Sequence, residues 1–185
     1  MDYLSLSIGV IGTLASILGL YFSVPSFSSW RSVRVAVQDL AKKMSIAGFK
    51  PDLVIMYGRG GAIFGGLLAG NLGNIPVISI DREVIDNNGT TETNLIHTYS
   101  LRSVQGKRVL LVTGEVATGS QLADAKRAIL KKNPVELKTA SYYVCETSST
   151  YPDYYWKETK NIIHVPWRFG KSYRRTSKRA LDVSV

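Results

Sequence analysis

From Tyr3 to Ser29 the chain carries no charged side chain, reading YLSLSIGVIGTLASILGLYFSVPSFSS. A run of about 27 residues exceeds the ~20 that an α-helix needs to cross the hydrocarbon core of a bilayer. It restricts the stretch to a membrane helix, a fully buried core helix or a cleaved leader. Buried helices are usually shorter and more tightly flanked by polar residues. A leader would open with a basic region and end in a small-residue cleavage site, whereas only Asp2 precedes this run. One uncleaved anchor over residues 1–29 is therefore expected. Arg31, Arg34, Lys42 and Lys43 follow it, so the N-terminus is expected outside and the rest of the chain in the cytoplasm. Small residues at Ser5, Gly9, Gly12, Ser16, Gly19 and Ser23 include two small-xxx-small pairs, Gly12 with Ser16 and Gly19 with Ser23, suited to helix pairing.

The roughly 155 residues that remain suit one domain with a sizeable core. Net charge is +9, and Asp2 is the only charged side chain ahead of residue 30. The excess concentrates in Arg168, Lys171, Arg174, Arg175, Lys178 and Arg179. A tail over 169–185 is expected either to be simply solvated or to be drawn to anionic lipid headgroups, at ~1 kcal/mol per basic residue. No motif indicates nucleic acid. Cys145 is the only cysteine, which excludes an intrachain disulfide and suits a reducing compartment. His97 and His164 lie far apart, and no metal-ligand spacing is visible.

Between residues 30 and 168 the pattern alternates. Ser28 or Ser29 is placed to cap a helix whose apolar stripe is Trp30, Val33, Val37, Leu40 and Met44, ending near Gly48. Leu53–Tyr57 (LVIMY) predicts a strand buried on both faces, followed by a turn at Gly58-Arg59-Gly60-Gly61 and a helix from about Ala62 to Leu72. Strands are predicted at Pro76–Ile80, Leu95–Ser100, Arg108–Val112, Leu137–Cys145 and Ile162–Val165, with a turn at Asn87–Thr90. A loop holding Gly114 and Gly119 leads to a helix from about Gln121 to Lys132. Such alternation predicts an α/β fold with a parallel sheet, whose ligands bind at the carboxyl ends of the strands.

Two turns lie at those ends. Gly58-Arg59-Gly60-Gly61 combines glycines, where amides can approach an anion, with an arginine to pair with it. Ala117, Thr118, Gly119, Ser120 and Gln121 would present amides and hydroxyls to a phosphate at a helix N-terminus. Arg82, just past the PVISI strand, is a secondary phosphate candidate unless Asp81 or Glu83 pairs with it. Tight packing alone also explains glycine between strand and helix.

In this order and separation the chain resembles the type I phosphoribosyltransferases, and among them the xanthine-guanine and related purine enzymes. Leu53–Asn71 is similar to their strand, pyrophosphate loop and helix. Val109–Leu122 takes the place of their phosphoribosyl-diphosphate signature, Tyr151–Tyr155 that of a base-side segment, and Val165-Pro166-Trp167 that of a late Pro-Trp. The resemblance implies phosphoribosyl diphosphate or a purine nucleotide as ligand, a homodimer, and Mg2+ as cofactor. It also implies a role for Arg59, Gly60 and Gly61 with the pyrophosphate and for Ala117–Gln121 with the 5′-phosphate.

The departures bear on chemistry. Thr113 and Gly114 stand where the family carries two adjacent acids that hold the ribose hydroxyls directly or through magnesium, which weakens the Mg2+ expectation. Ala117 replaces an acid that assists proton transfer, and Glu115 replaces an aliphatic residue. Cys145 falls where a lysine reads the purine, and Ile162, with Ile163 beside it, where an aromatic stacks on the base. Losing one positioned electrostatic group costs ~10²–10³ in rate, and one acid–base group ~10²–10⁴. Two functions follow as expectations. One is a membrane-anchored transferase with Glu115 stabilising the cationic ribose. The other is an inactive sensor signalling through its membrane helix.

Overall fold

A computed structural model describes residues 28–87, 90–96, 98–160 and 163–168. The expected anchor up to residue 27, the turn residues Asn88 and Gly89, His97, Ile162 and the basic tail from residue 169 lie outside the described residues. Of the described helices, none is long and apolar enough to cross a membrane.

The chain runs α1 (Trp30–Ile46), β1 (Leu53–Tyr57), α2 (Gly58–Asn71), β2 (Val77–Asn87) and β3 (Thr90–Ile96). A 3-10 segment (Thr98–Val104) leads on to β4 (Arg108–Val116), α3 (Ser120–Leu130), β5 (Glu136–Cys145) and β6 (Tyr154–Thr159). The sheet order is β3-β2-β1-β4-β5-β6. Five strands are parallel; β3 returns antiparallel along β2 at one edge.

Side chains along β1 and β4 point alternately to two faces, and each face has its own core. Val54, Leu110 and Val112 pack with Phe64 and Leu68 of α2 and with Val33, Val37, Leu40 and Met44 of α1. Leu53, Ile55, Val109 and Leu111 pack with Leu122, Ala125 and Ile129 of α3 and with Leu101 and Val104. Full burial of such a side chain contributes ~1.5–3 kcal/mol. On α1 the expected stripe is buried with Ala36 added, while Trp30 at its start is half exposed. Ser29 caps the helix, its hydroxyl accepting from the Ser32 N–H at 3.2 Å.

Several boundaries differ from the sequence expectation. The strand expected at Pro76–Ile80 continues to Asn87, and the next begins at Thr90 rather than Leu95, because the mostly polar residues between them pair as an antiparallel hairpin. The glycine run 58–61 is the first turn of α2, which leaves β1 directly at Gly58 (φ +66°). Glycine is required there because α2 lies on β4: a Cβ on Gly61 would stand 2.5 Å from Val112 O. β4 continues to Val116, so Thr113, Gly114 and Glu115 belong to a strand. Residues 98–100 are 3-10 rather than strand. The last described strand is Tyr154–Thr159, whose aromatics complete the α1 side of the sheet; of the strand expected at Ile162–Val165, the described residues 163–165 add none to that sheet. Tyr154 stacks on Phe49 at 6.2 Å and Trp156 on Tyr142 at 5.1 Å.

Candidate functional site

The carboxyl ends of β1, β2 and β4 converge where α2 and α3 begin. The loop between β4 and α3 is shaped by Gly119, in the left-handed region at φ +86°. A Cβ on it would lie 2.6 Å from Thr150 N and 2.7 Å from Ser148 Oγ, so the position admits glycine alone. Ser149 donates its N–H and its hydroxyl to Thr118 O at 3.0 and 2.8 Å, tying that carbonyl to the 148–150 loop. Ala117, Thr118, Ser120 and Gln121 are exposed around the start of α3, with the Thr118 and Ser120 hydroxyls 3.0 Å apart. Unpaired first-turn amides beside hydroxyls form a setting for an oxyanion.

Arg82 joins this group across the sheet. The Gln121 carboxamide oxygen, in the orientation that satisfies both partners, accepts from Arg82 Nη1 and Nη2 at 2.6 and 3.0 Å. Asp81 does not pair with the guanidinium; its carboxylate accepts from the Arg82 backbone N–H at 2.8 Å. The Tyr57 hydroxyl, at the end of β1, is pushed up chiefly by burial, with Arg82 opposing and Asp124 and Asp81 adding. The structure thus brings Arg82, Thr118, Ser120 and Gln121 together. Arg59 is exposed on the first turn of α2, while Gly60 packs against Gly114 of β4.

The fold has known counterparts. Residues 26–174 match the family model described as a phosphoribosyl transferase domain. That is well over half of the chain. The chain belongs to the phosphoribosyltransferases. Among solved structures it is similar to the purine phosphoribosyltransferase of Pyrococcus horikoshii, with 28% identity and a TM-score of 0.70 over 78% of this chain and 95% of that one. A hypothetical protein from Neisseria gonorrhoeae with bound ppGpp shares the fold at 20% identity and a TM-score of 0.69, over 85% and 98% of the two chains. The xanthine-guanine-hypoxanthine phosphoribosyltransferase of Helicobacter pylori does so at 14% and 0.62, over 83% and 98%. Among curated proteins, none matches the chain significantly.

The chain departs from a regular strand just before the loop between β4 and α3. Val112 and Val116, four residues apart, should share a face, yet they pack in opposite cores; Ala140 and Val144 on β5 do the same. Both strands therefore slip by one residue. The Thr113 and Ser141 hydroxyls sit at the slip, donating to Glu115 O at 3.2 Å and Tyr143 O at 2.9 Å. Glu115 and its cross-strand neighbour Tyr143 lie beyond it. The Tyr143 hydroxyl donates to Glu115 Oε2, and the Arg168 guanidinium pairs with Glu115 Oε1. Neither partner was anticipated from sequence. By sequence Arg168 is the first of the basic residues that cluster toward the C-terminus, although its place right after Pro166-Trp167 sets it apart.

The remaining candidates are part of the packing. Cys145 is buried at the end of β5, and burial pushes its thiol up while a hydrogen bond with Thr159 opposes. Ile163 is 3% exposed and belongs to the α1–α2 core. Asp153 of the expected base-side segment accepts from Thr139 N–H and hydroxyl at 2.8 and 2.7 Å, which ties it to the amino half of β5.

The residues do not fit a magnesium ion held as the resemblance implies. Of the two acid positions, Gly114 has no room for a side chain, since its Cβ would stand 2.7 Å from Gly60 Cα. Thr113 offers a neutral hydroxyl in place of a carboxylate, its proton donated to Glu115 O. Glu115, the remaining carboxylate on this stretch, has both oxygens engaged.

Proposed function

We propose that this phosphoribosyltransferase binds phosphoribosyl diphosphate or a purine nucleotide while tethered to a membrane by its N-terminal segment. The 5′-phosphate would rest on Ala117–Gln121 and Arg82, and the diphosphate would face Arg59, Gly60 and Gly61. The convergence of Thr118, Ser120, Gln121 and Arg82 at the start of α3 carries this reading. The 28% identity with a purine phosphoribosyltransferase supports a purine-type ligand. The uncharged run up to Ser29 and the arginines after it support a single-pass tether with the domain in the cytoplasm. The basic tail supports contact with anionic lipid, and the small-residue spacing of the run supports a homodimer.

Whether a base is transferred divides two readings. In the enzyme, Glu115 stabilises a cationic ribose. In the sensor, binding alone is the signal. The engagement of Glu115 by Tyr143 and Arg168 favours the sensor, because a carboxylate oriented by these two donors is not turned toward a ribose. A second observation agrees. Ser28, where the apolar run ends, donates its N–H to His164 O at 2.8 Å and shares a hydrogen bond with the Tyr142 hydroxyl. The exit toward the membrane is thus fastened to the segment that ends in Arg168.

Paired variants test this. Glu115→Gln is expected to retain ligand binding, and Gly119→Asp, which sets a carboxylate in the phosphate cradle, to abolish it. Turnover in the wild type that Glu115→Gln removes would restore the enzyme reading. Wild-type binding by both variants would remove the site assignment.

A further inference from the structure

Next to the two positions where the resemblance implies an acid pair, the chain holds a cation of its own. Arg168 is held from both sides. Its backbone N–H donates to Val165 O at 3.1 Å, closing a tight turn, and its guanidinium pairs with Glu115 at the end of β4. The neighbouring Trp167 anchors that turn, with ring centroids 5.5 Å from Tyr142, 6.4 Å from Phe64 and 6.3 Å from Trp30. The Trp167 indole nitrogen lies 3.4 Å from where a side chain on Gly60 would begin. Arg168 therefore stands at the strand end from which the 117–121 loop departs and against which the Arg59–Gly61 turn packs. Its side chain is 36% exposed.

We infer that Arg168, positioned by Glu115 and Trp167, supplies the charge that faces the ligand's diphosphate, so that this site captures its ligand without a divalent cation. The inference deepens the phosphate-binding reading above and rests on it. The steric closure at Gly114 and the engaged Glu115 carboxylate leave residues 113–115 without a free carboxylate to hold a magnesium ion that phosphates would otherwise share. Among the described residues, no group of three His, Cys, Asp or Glu side chains comes together to hold a metal. A guanidinium needs no such ligands. It stays charged at any physiological pH, and its planar fork matches phosphate oxygens. Glu115 holds that fork through one side-chain oxygen, a contact that the carboxamide oxygen of Glu115→Gln keeps, so that variant is expected still to bind.

The test is calorimetric titration of the full chain, in mild detergent, with phosphoribosyl diphosphate in excess EDTA and again in saturating magnesium. The two dissociation constants are expected to agree within about threefold, whereas binding weaker by about tenfold or more in EDTA, about 1.4 kcal/mol, overturns the inference. Absence of binding in both buffers removes the phosphate-binding reading itself and this inference with it. Arg168→Gln is expected to weaken binding by about tenfold or more in EDTA, and Arg168→Lys to recover part of the loss. Thermal melting checks that each variant is folded. An Arg168→Gln protein that binds like wild type overturns the inference. The double variant Glu115→Gln/Arg168→Gln separates two causes and is expected to remain weak. If it regains wild-type affinity, the single variant was weakened only by an unmasked carboxylate, and the inference falls.

Discussion

Gly60 and Gly114 meet backbone against backbone, so that a Cβ on Gly114 would stand 2.7 Å from Gly60 Cα and 2.9 Å from its carbonyl carbon. The position at which phosphoribosyltransferases usually carry an acid is closed because α2 begins without an intervening loop and rests directly on β4. The missing acid and the early helix are one structural fact. Refilling the position requires α2 to move.

Gly114→Asp is accordingly expected to destabilise the fold rather than restore chemistry. Overpacking of this kind costs about 1–3 kcal/mol. A lowered urea midpoint at unchanged m-value is the expected outcome. A variant as stable as wild type would mean that α2 yields easily.

Gly119→Ala separates shape from charge in the phosphate loop. A methyl group there meets Thr150 N at 2.6 Å while the backbone stays at φ +86°. The left-handed conformation alone costs a non-glycine residue roughly 1–2 kcal/mol. Both a lowered melting temperature and weaker binding of phosphoribosyl diphosphate are expected. Loss of stability with unchanged affinity would place the ligand elsewhere.

Acid stability has one identifiable contributor. The Arg108 side chain and N–H, hydrogen-bonded to Asp52 at 2.8–3.2 Å, hold its carboxyl at about 2 against a usual 3.8. A carboxyl whose pKa is depressed by folding contributes stability above its unfolded value and loses it as pH falls through the folded one. Thermal melts of wild type and Asp52→Asn should therefore differ above about pH 4 and converge as the pH falls toward about 2. A difference that does not change over that window would assign the effect to another group.

On α1, two neighbouring apolar positions should behave differently. Leu40 is fully buried, and Leu40→Ala is expected to cost about 2–5 kcal/mol. Val35 is 45% exposed, and Val35→Ala should stay within about 0.5 kcal/mol. Equal effects in chemical denaturation would contradict the packing of α1 on α2 and β6.

The parts of the fold readable in the sequence are those where periodicity meets a single environment. LVIMY and RVLLV are buried on both faces, and α1 shows a clean stripe, so their positions followed from pattern. What the pattern missed depends on distant contacts. The glycines at 58–61 looked like a turn because only their approach to Val112 and Gly114 explains a helix there. The mixed YYWKET of β6 has no apolar run, and its strand exists because Tyr154 and Trp156 close the core over Phe49 and Tyr142.

The candidate site divides in the same way. Thr118, Gly119 and Ser120 announced themselves by spacing before a helix. The Arg82–Gln121 contact and the Glu115–Tyr143–Arg168 cluster did not, because each joins side chains from separate elements. The one-residue slip that precedes Glu115 is also invisible in RVLLVTGEV, where it depends on a matching slip in β5.

Titration of the chain with phosphoribosyl diphosphate and with purine nucleotides is the most direct measurement of whether this fold still binds without transferring. It is repeated with a purine base added to the first and pyrophosphate to the second, and followed for released pyrophosphate and free base. Saturable binding with neither product released is the expected result. Release of base or pyrophosphate on repeated turnover, or absence of binding to every one of these ligands, would contradict it.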